Sequence, residues 1–458
     1  MVKQRICLIG AGSAVFWLTW IRDLCVMKSA PGSTLALVDV NRERLDAVYS
    51  LASRYAQELK VDIKFEKTDD RREALRNADF VVNTAFPGSH DYTEKMRAIG
   101  EEHGYYRGID SVEFNFVSDY YTLLGYKQYQ LALDIASDME ELCPEATLLQ
   151  FANPIFEVTT LLHRERSKVK AIGFCDEYVG IYPLLMVSGL VPSDMEFQVA
   201  GVNHCIWLTK LRNRATGENA YPAIDKWIKN DAEELWKNHD LGLWSETISP
   251  ASADMYKLYG LYPVGDTARS FTWKYHYNLE TAKRWFGPLG GTDSEIGLQV
   301  RLDRFQTNAE RLKRLANDPE AKLTSHIAPK KGKDEFSDYI DAVTLGGETR
   351  LILNIPNNSY LPQLSNDLSV ELPVVVSKDG KLRPEKVDAF PKRLLNFVLL
   401  PRVIRANWGL EAFMSGSREM LVEMLIRDVR THSEKQAREV IEAILSLPEN
   451  HDMARHYQ

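Results

Sequence analysis

Arg5-Ile6-Cys7-Leu8-Ile9-Gly10-Ala11-Gly12-Ser13 decides the fold. A short apolar run leads directly into a Gly-x-Gly turn. A helical pattern then follows through Trp17, Trp20, Ile21 and Leu24. A second apolar run, residues 34–40, carries Asp39 near its end. Strand, glycine turn, helix, strand and acid in that order are the parts of a Rossmann nucleotide site. The glycines let backbone approach a pyrophosphate at a helix amino terminus, where free N–H groups and the helix dipole favour anions. Gly10, Gly12 and Ser13 are the loop candidates, although Val15 stands where a third glycine is usual. Asp39 would accept hydrogen bonds from the adenosine ribose, which favours NAD over NADP. A glycine turn with no ligand is the alternative.

The same texture continues outward. Residues 42–59 repeat apolar Leu45, Val48, Leu51, Ala52 and Tyr55 at helical spacing. Apolar runs at 79–85, 146–151 and 169–174 read as further strands, with a helix at 123–142 before the second of these. Largely apolar strands separated by helices indicate a parallel sheet covered on both faces. Residues 1–195 are therefore expected to form an α/β, doubly wound NAD-binding domain. Asn83 and Thr84 close one strand and Asn153 follows another, where polar groups line a ligand crevice. Capping a helix is the alternative for Asn153. After residue 195 the pattern changes to strands at 196–200, 206–211, 351–355 and 368–376, with amphipathic helices at 419–427 and 437–447. Residues 196–458 are expected to form a mixed α+β domain for substrate, metal and oligomerisation. No Gly-, Ser- or Pro-rich linker separates the halves, so they should share an extensive interface.

Composition narrows the class. The chain has 458 residues, 45% hydrophobic and 26% charged, which fits a globular protein and excludes disorder. The net charge of −8 argues against nucleic acid as a partner, because that requires a basic footprint. No apolar run reaches the roughly 18 residues of a membrane span. The five cysteines are odd in number and irregularly spaced, so no disulfide framework is expected. Together with the lack of a secretory leader pattern, this predicts a reduced, cytoplasmic protein.

Cys175 ends a strand directly before Asp176 and Glu177, and His204 follows Gly201-Val202-Asn203. Thiolate and imidazole with added oxygen ligands suit a transition metal better than Mg²⁺. Two ligands do not make a protein-only site, and a strand-end cysteine is commonly core. Asp176 can act as an acid or base beside such a site, or cap the following helix.

Taken together, Gly10-x-Gly12-Ser13, Asn153-Pro154, Gly173-Phe174-Cys175 and Gly201-Val202-Asn203-His204 resemble glycoside hydrolase family 4. The segments Gly104-Tyr105-Tyr106-Arg107-Gly108-Ile109-Asp110-Ser111 and Trp273-Lys274-Tyr275-His276-Tyr277 are closest to its α-glucuronidase-like branch. The resemblance implies NAD and a divalent metal, usually Mn²⁺, with Cys175 and His204 as metal ligands. It implies hydrolysis by oxidation at sugar C3, proton removal at C2, elimination, addition of water and re-reduction. Asp266 resembles an acidic position near the family site and ranks first as the C2 base, with Tyr259 second. Asp176 replaces a common histidine and resembles the general acid of the phospho-glycosidase branch. Arg107, Arg269, Lys274 and His276 are candidate partners for an acidic sugar, since arginine can grip a carboxylate with two hydrogen bonds. The expected substrate is an α-glucuronide or α-galacturonide. A 6-phospho- or 6-sulfo-hexoside and a simple 2-hydroxy acid dehydrogenase reaction are the alternatives. The resemblance also implies a homodimer or homotetramer.

Overall fold

The computed structural model describes residues 3–12, 17–109, 123, 125–238, 241–269, 272–332 and 335–458. Ser13 and Val15 of the glycine loop, and Asp110 and Ser111 of the tyrosine-rich motif, lie outside the described residues.

The opening strand β1 (Arg5–Ile9) buries its apolar side chains on both faces, and the chain then winds back and forth across it. Five more parallel strands join it: β2 (Ser33–Val38), β3 (Ile63–Thr68), β4 (Phe80–Asn83), β5 (Thr147–Gln150) and β6 (Lys170–Gly173). The helix Arg42–Leu59 shows why the covering layers form. Asn41 caps it by accepting the Arg44 N–H at 3.0 Å, and Leu45, Val48, Leu51, Ala52 and Tyr55 turn inward. Lys60, at a left-handed φ of 55°, ends it. Two details depart from the sequence reading. The second strand stops at Val38, leaving Val40 91% exposed. The strand β3 has the pattern IKFEKT, whose outward charges hide its role as the sheet edge.

The remaining strands are β7 (Met195–Val202), β8 (Cys205–Asn213), β9 (Tyr262–Val264), β10 (Thr349–Pro356), β11 (Ser369–Val376) and β12 (Leu382–Pro384). Among the described residues all twelve belong to one sheet, in the order β3-β2-β1-β4-β5-β6-β10-β11-β7-β8-β9, with β12 on β11. Two narrow seams cross the sheet, the first of which joins its parallel and antiparallel parts. One is the pair Gly173 and Asn354, between β6 and β10, and the other is Glu371 and Gly201, between β11 and β7. Asn354 also pairs with Glu371, so Gly173, Asn354, Glu371 and Gly201 form one row across the sheet. Glycine is required at both outer positions. A Cβ on Gly173 would lie 2.5 Å from Ile155 and 2.8 Å from the Asn354 Cβ, and one on Gly201 would lie 2.1 Å from the Cys205 carbonyl oxygen. No described helix is long and apolar enough to cross a membrane.

Candidate active site at the carboxyl edge of the sheet

The carboxyl ends of β1, β2, β4, β5 and β6 open on one edge. At Gly10 the chain turns with φ of 88°, and a Cβ there would meet the Ala85 backbone at 2.6 Å. The amides of Gly10 and Ala11 donate to the Val38 carbonyl at 2.9 and 3.0 Å. The Gly12 N–H donates to Asp39 Oδ2 at 2.8 Å, and the Asn41 N–H donates to Asp39 Oδ1 at 2.8 Å. The Asp39 carboxylate thus ties the glycine loop to the end of β2, in a cradle too tight for side chains. Such a cradle fits a dinucleotide phosphate and ribose. Asn83 and Thr84 brace this floor from inside. The Asn83 amide donates to Gln150 at 3.0 Å and accepts from the Ala85 N–H at 3.1 Å, and the Thr84 hydroxyl lies 3.1 Å from the Ile9 carbonyl. Asn153 stands beyond β5 with its side-chain oxygen 3.4 Å from the Ile155 N–H.

The sheet seams place Cys175 two residues past Gly173 and His204 three residues past Gly201. His204 occupies the tight turn between β7 and β8 with φ of 58°, a strained region for a residue with a side chain. Its N–H donates to Glu177 at 2.7 Å. Asn203 beside it donates to Glu371 at 2.9 Å and to Glu177 at 3.3 Å, and Asn354 donates to Glu371 at 3.0 Å. A buried brace of two carboxyls and two amides therefore joins the two seams behind the pair. Sequence reading missed Glu371 and Asn354, and it noted Glu177 only as a neighbour. Burial pushes the Glu371 carboxyl up to about 7, and burial with the nearby Glu371 raises Glu177.

A divalent ion fits the front of this brace. Burial pushes the half-buried Cys175 thiol up, and Glu177, Glu371, Asp176 and Asp266 push it the same way. The ionised Asp266 favours a cation there, whose binding would make the thiolate. The buried His204 Nδ1 has no hydrogen-bond partner, and burial pulls that imidazole down to about 4, leaving it neutral and able to ligate. Among the described residues no three His, Cys, Asp or Glu side chains gather closely enough to hold an ion by themselves. Cys175 and His204 therefore need oxygens from a bound molecule to complete a coordination shell.

Asp266 Oδ2 lies 3.4 Å from His204 Nε2, which puts this carboxylate beside the metal pair. Burial would raise it, but the Arg269 guanidinium, 2.8 Å away, overrides burial and holds it below the usual carboxylate range. Asp176 is exposed at the end of β6. It begins the 3-10 turn Glu177–Gly180 but makes no side-chain cap, so the capping alternative is not realised. Tyr259 packs edge-on against Trp207, and burial raises its phenol, the wrong direction for a base.

Of the four candidate cationic partners, His276 and Lys274 are engaged by the protein's own groups. Burial, and next Arg269, push His276 down to about 3. It is a neutral ring stacked on Phe286 at 4.8 Å, because protonation would place a second charge in a desolvated site. Lys274 is bound to Asp254 near Trp285, on a surface where a ready carboxylate partner captures it. Arg269, 3% exposed, is shared between Asp266 and Asp293, so it anchors acids of the protein itself. Arg107 is buried at φ of 64° and donates through Nε to the Asp293 carbonyl at 3.0 Å. Arg301, on the helix Glu295–Asn317, also approaches Asp293, at 4.0 Å. It keeps a fifth of its side chain exposed and adds positive potential at Asp266. Nothing in its local sequence sets it apart from the other charges of that helix.

A cavity of about 920 Å³ lies elsewhere, at the amino ends of β4, β5 and β6, lined by Asp79, Thr147, Lys170 and Tyr339. Ligands of such sheets bind at the opposite edge, where the glycine cradle and the Cys175–His204 pair stand.

Residues 5–189 match the sequence model of the Family 4 glycosyl hydrolases, and residues 199–431 match the model of their C-terminal domain. A 6-phospho-beta-glucosidase of Escherichia coli (strain K12) is 24% identical over 381 residues, spanning 80% of this chain and 78% of that protein. An alpha-galacturonidase of Thermoanaerobacter italicus (strain DSM 9252 / Ab9) is 23% identical over 444 residues, 93% of this chain and 91% of its own. A 6-phospho-alpha-glucosidase from gut microorganisms, solved in complex with NAD and Mn²⁺, superposes with a TM-score of 0.75 at 19% identity, covering 98% of each chain.

Proposed function

The chain belongs to the Family 4 glycosyl hydrolases, and from that premise we propose that it hydrolyses α-glycosides of an acidic hexose, a glucuronide or galacturonide, using NAD and Mn²⁺. The observation that supports the metal-assisted part is the state of the two candidate ligands: a buried, partnerless His204 Nδ1, with the His204 N–H held by Glu177, and a half-buried Cys175 thiol that feels the same carboxyls, Glu177 and Asp266. A simple dehydrogenase has no use for that pair. Support for an acidic sugar comes from Arg301, whose side chain stays partly exposed and whose charge is felt at Asp266, and from the alpha-galacturonidase relative.

Gly10 and Gly12 bring backbone against the dinucleotide phosphates, and Asp39 accepts from its ribose. Cys175 and His204 would hold the ion, together with oxygens from the substrate. When bound, the dinucleotide supplies a hydride acceptor and the ion polarises a sugar oxygen. Asp266, kept ionised by Arg269, takes the proton from sugar C2. Asp176, at the exposed end of β6, gives a proton to the leaving oxygen. A 6-phosphorylated hexoside is the second reading, favoured by Asp176 directly after Cys175 and by the 6-phospho-beta-glucosidase relative.

The test is hydrolysis of nitrophenyl α-glucuronide, α-galacturonide and 6-phospho-α-glucoside with NAD, Mn²⁺ and thiol. A uronide should be cleaved fastest, and only with both cofactors present. Preferential cleavage of the phosphorylated glycoside would select the second reading, and full activity after exhaustive NAD removal would end both.

A further inference from the structure

Trp244 is conspicuous in three ways. Its backbone φ is 72°, a conformation that costs a bulky aromatic residue strain. Its side chain is 52% exposed, while Leu241, Leu243 and Glu246 on either side are buried. One face of its indole receives the Arg269 guanidinium, at 5.2 Å from the ring. Solvation alone gives no reason to turn a large apolar ring outward on strained backbone. The segment that follows is fixed from below: Glu246 accepts the Thr292 hydroxyl at 2.7 Å and lies 3.9 Å from Arg269. The indole is thus held on a rigid base.

Its position is defined by a relay of contacts. His204 touches Asp266, Asp266 touches Arg269, and Arg269 lies under Trp244. The exposed indole thus stands one side chain, Arg269, away from the acid that borders His204, at the rim of the proposed sugar site. We propose that the outer face of Trp244 is the stacking platform for the leaving group, and that the preferred substrates carry a flat partner there, a second sugar ring or an aryl group. Flat C–H or π surfaces lie well against an indole, and the Arg269 cation behind it fixes the ring orientation. This inference rests on the glycosidase reading above, but it concerns the leaving group and not the acidic sugar.

The experiment compares wild type, Trp244→Phe and Trp244→Ala on methyl, nitrophenyl and disaccharide glycosides of whichever acidic sugar the wild type cleaves. For Trp244→Ala, kcat/KM should fall about tenfold or more on the nitrophenyl and disaccharide substrates. Its loss on the methyl glycoside should stay below about threefold, and inhibition by the free acidic sugar should keep its Ki. Trp244→Phe should recover most of the loss. An equal loss on all three substrates, or none on any, overturns the platform. So does a change of oligomeric state in Trp244→Ala, which would make the indole an interface residue. Wild type that cleaves no acidic glycoside refutes the glycosidase reading and the platform with it, an outcome visible before any variant is made.

Discussion

Asp266 and Tyr259 were both legible as base candidates, but only the structure separates them. The difference lies in neighbours that are distant in sequence: Arg269 and His204 around the acid, Trp207 and burial around the phenol. We expect Asp266→Asn to lower kcat by about 100-fold or more, the scale of a lost general base. Tyr259→Phe should change kcat by less than about threefold. Steady-state kinetics on the best nitrophenyl glycoside decide between them, and the reverse ranking would hand the role to Tyr259. Asp39 and the loop glycines were legible as candidates from their place at strand ends, whereas Cys175 and His204 stood out only through the family resemblance. The partners of Lys274 and His276 were not legible, because Asp254 and Phe286, which hold them, are distant choices of the fold. Arg301 and Glu371 had no distinguishing local pattern at all.

At the scale of elements, apolar strands announced themselves, and the helix 42–59 kept its boundaries. The strands β3, β9 and β12 did not: the first carries edge charges, and the others are three residues long. Least legible was the insertion of β10 and β11 between β6 and β7. Pairing across that distance is set by the whole fold, yet it creates the row Gly173, Asn354, Glu371 and Gly201 that aligns the two candidate metal ligands. Gly173→Ala tests the seam. The added Cβ collides with Ile155 and Asn354, so stability should drop by about 1–3 kcal/mol. Mn²⁺ affinity, measured by titration of the apoprotein, should weaken more than NAD affinity, because Cys175 follows β6 whereas Asp39 follows β2. A lowered Tm with unchanged Mn²⁺ binding would show that the seam does not set the ligand pair.

For the whole molecule, one sheet does two jobs on one edge. Its parallel part builds a tight backbone cradle at Gly10, Gly12 and Asp39; Cys175 follows β6 at the junction with the antiparallel part, His204 lies in the β7–β8 turn and Asp266 follows β9. On the proposed reading, that shared edge is what would let a nucleotide site and a metal pair work together in proton removal at carbon. The central claim is tested most directly by hydrolysing the best uronide in D₂O and examining the released sugar by NMR. The account predicts deuterium at C2 of the product; a product with its original hydrogen at C2 would contradict it.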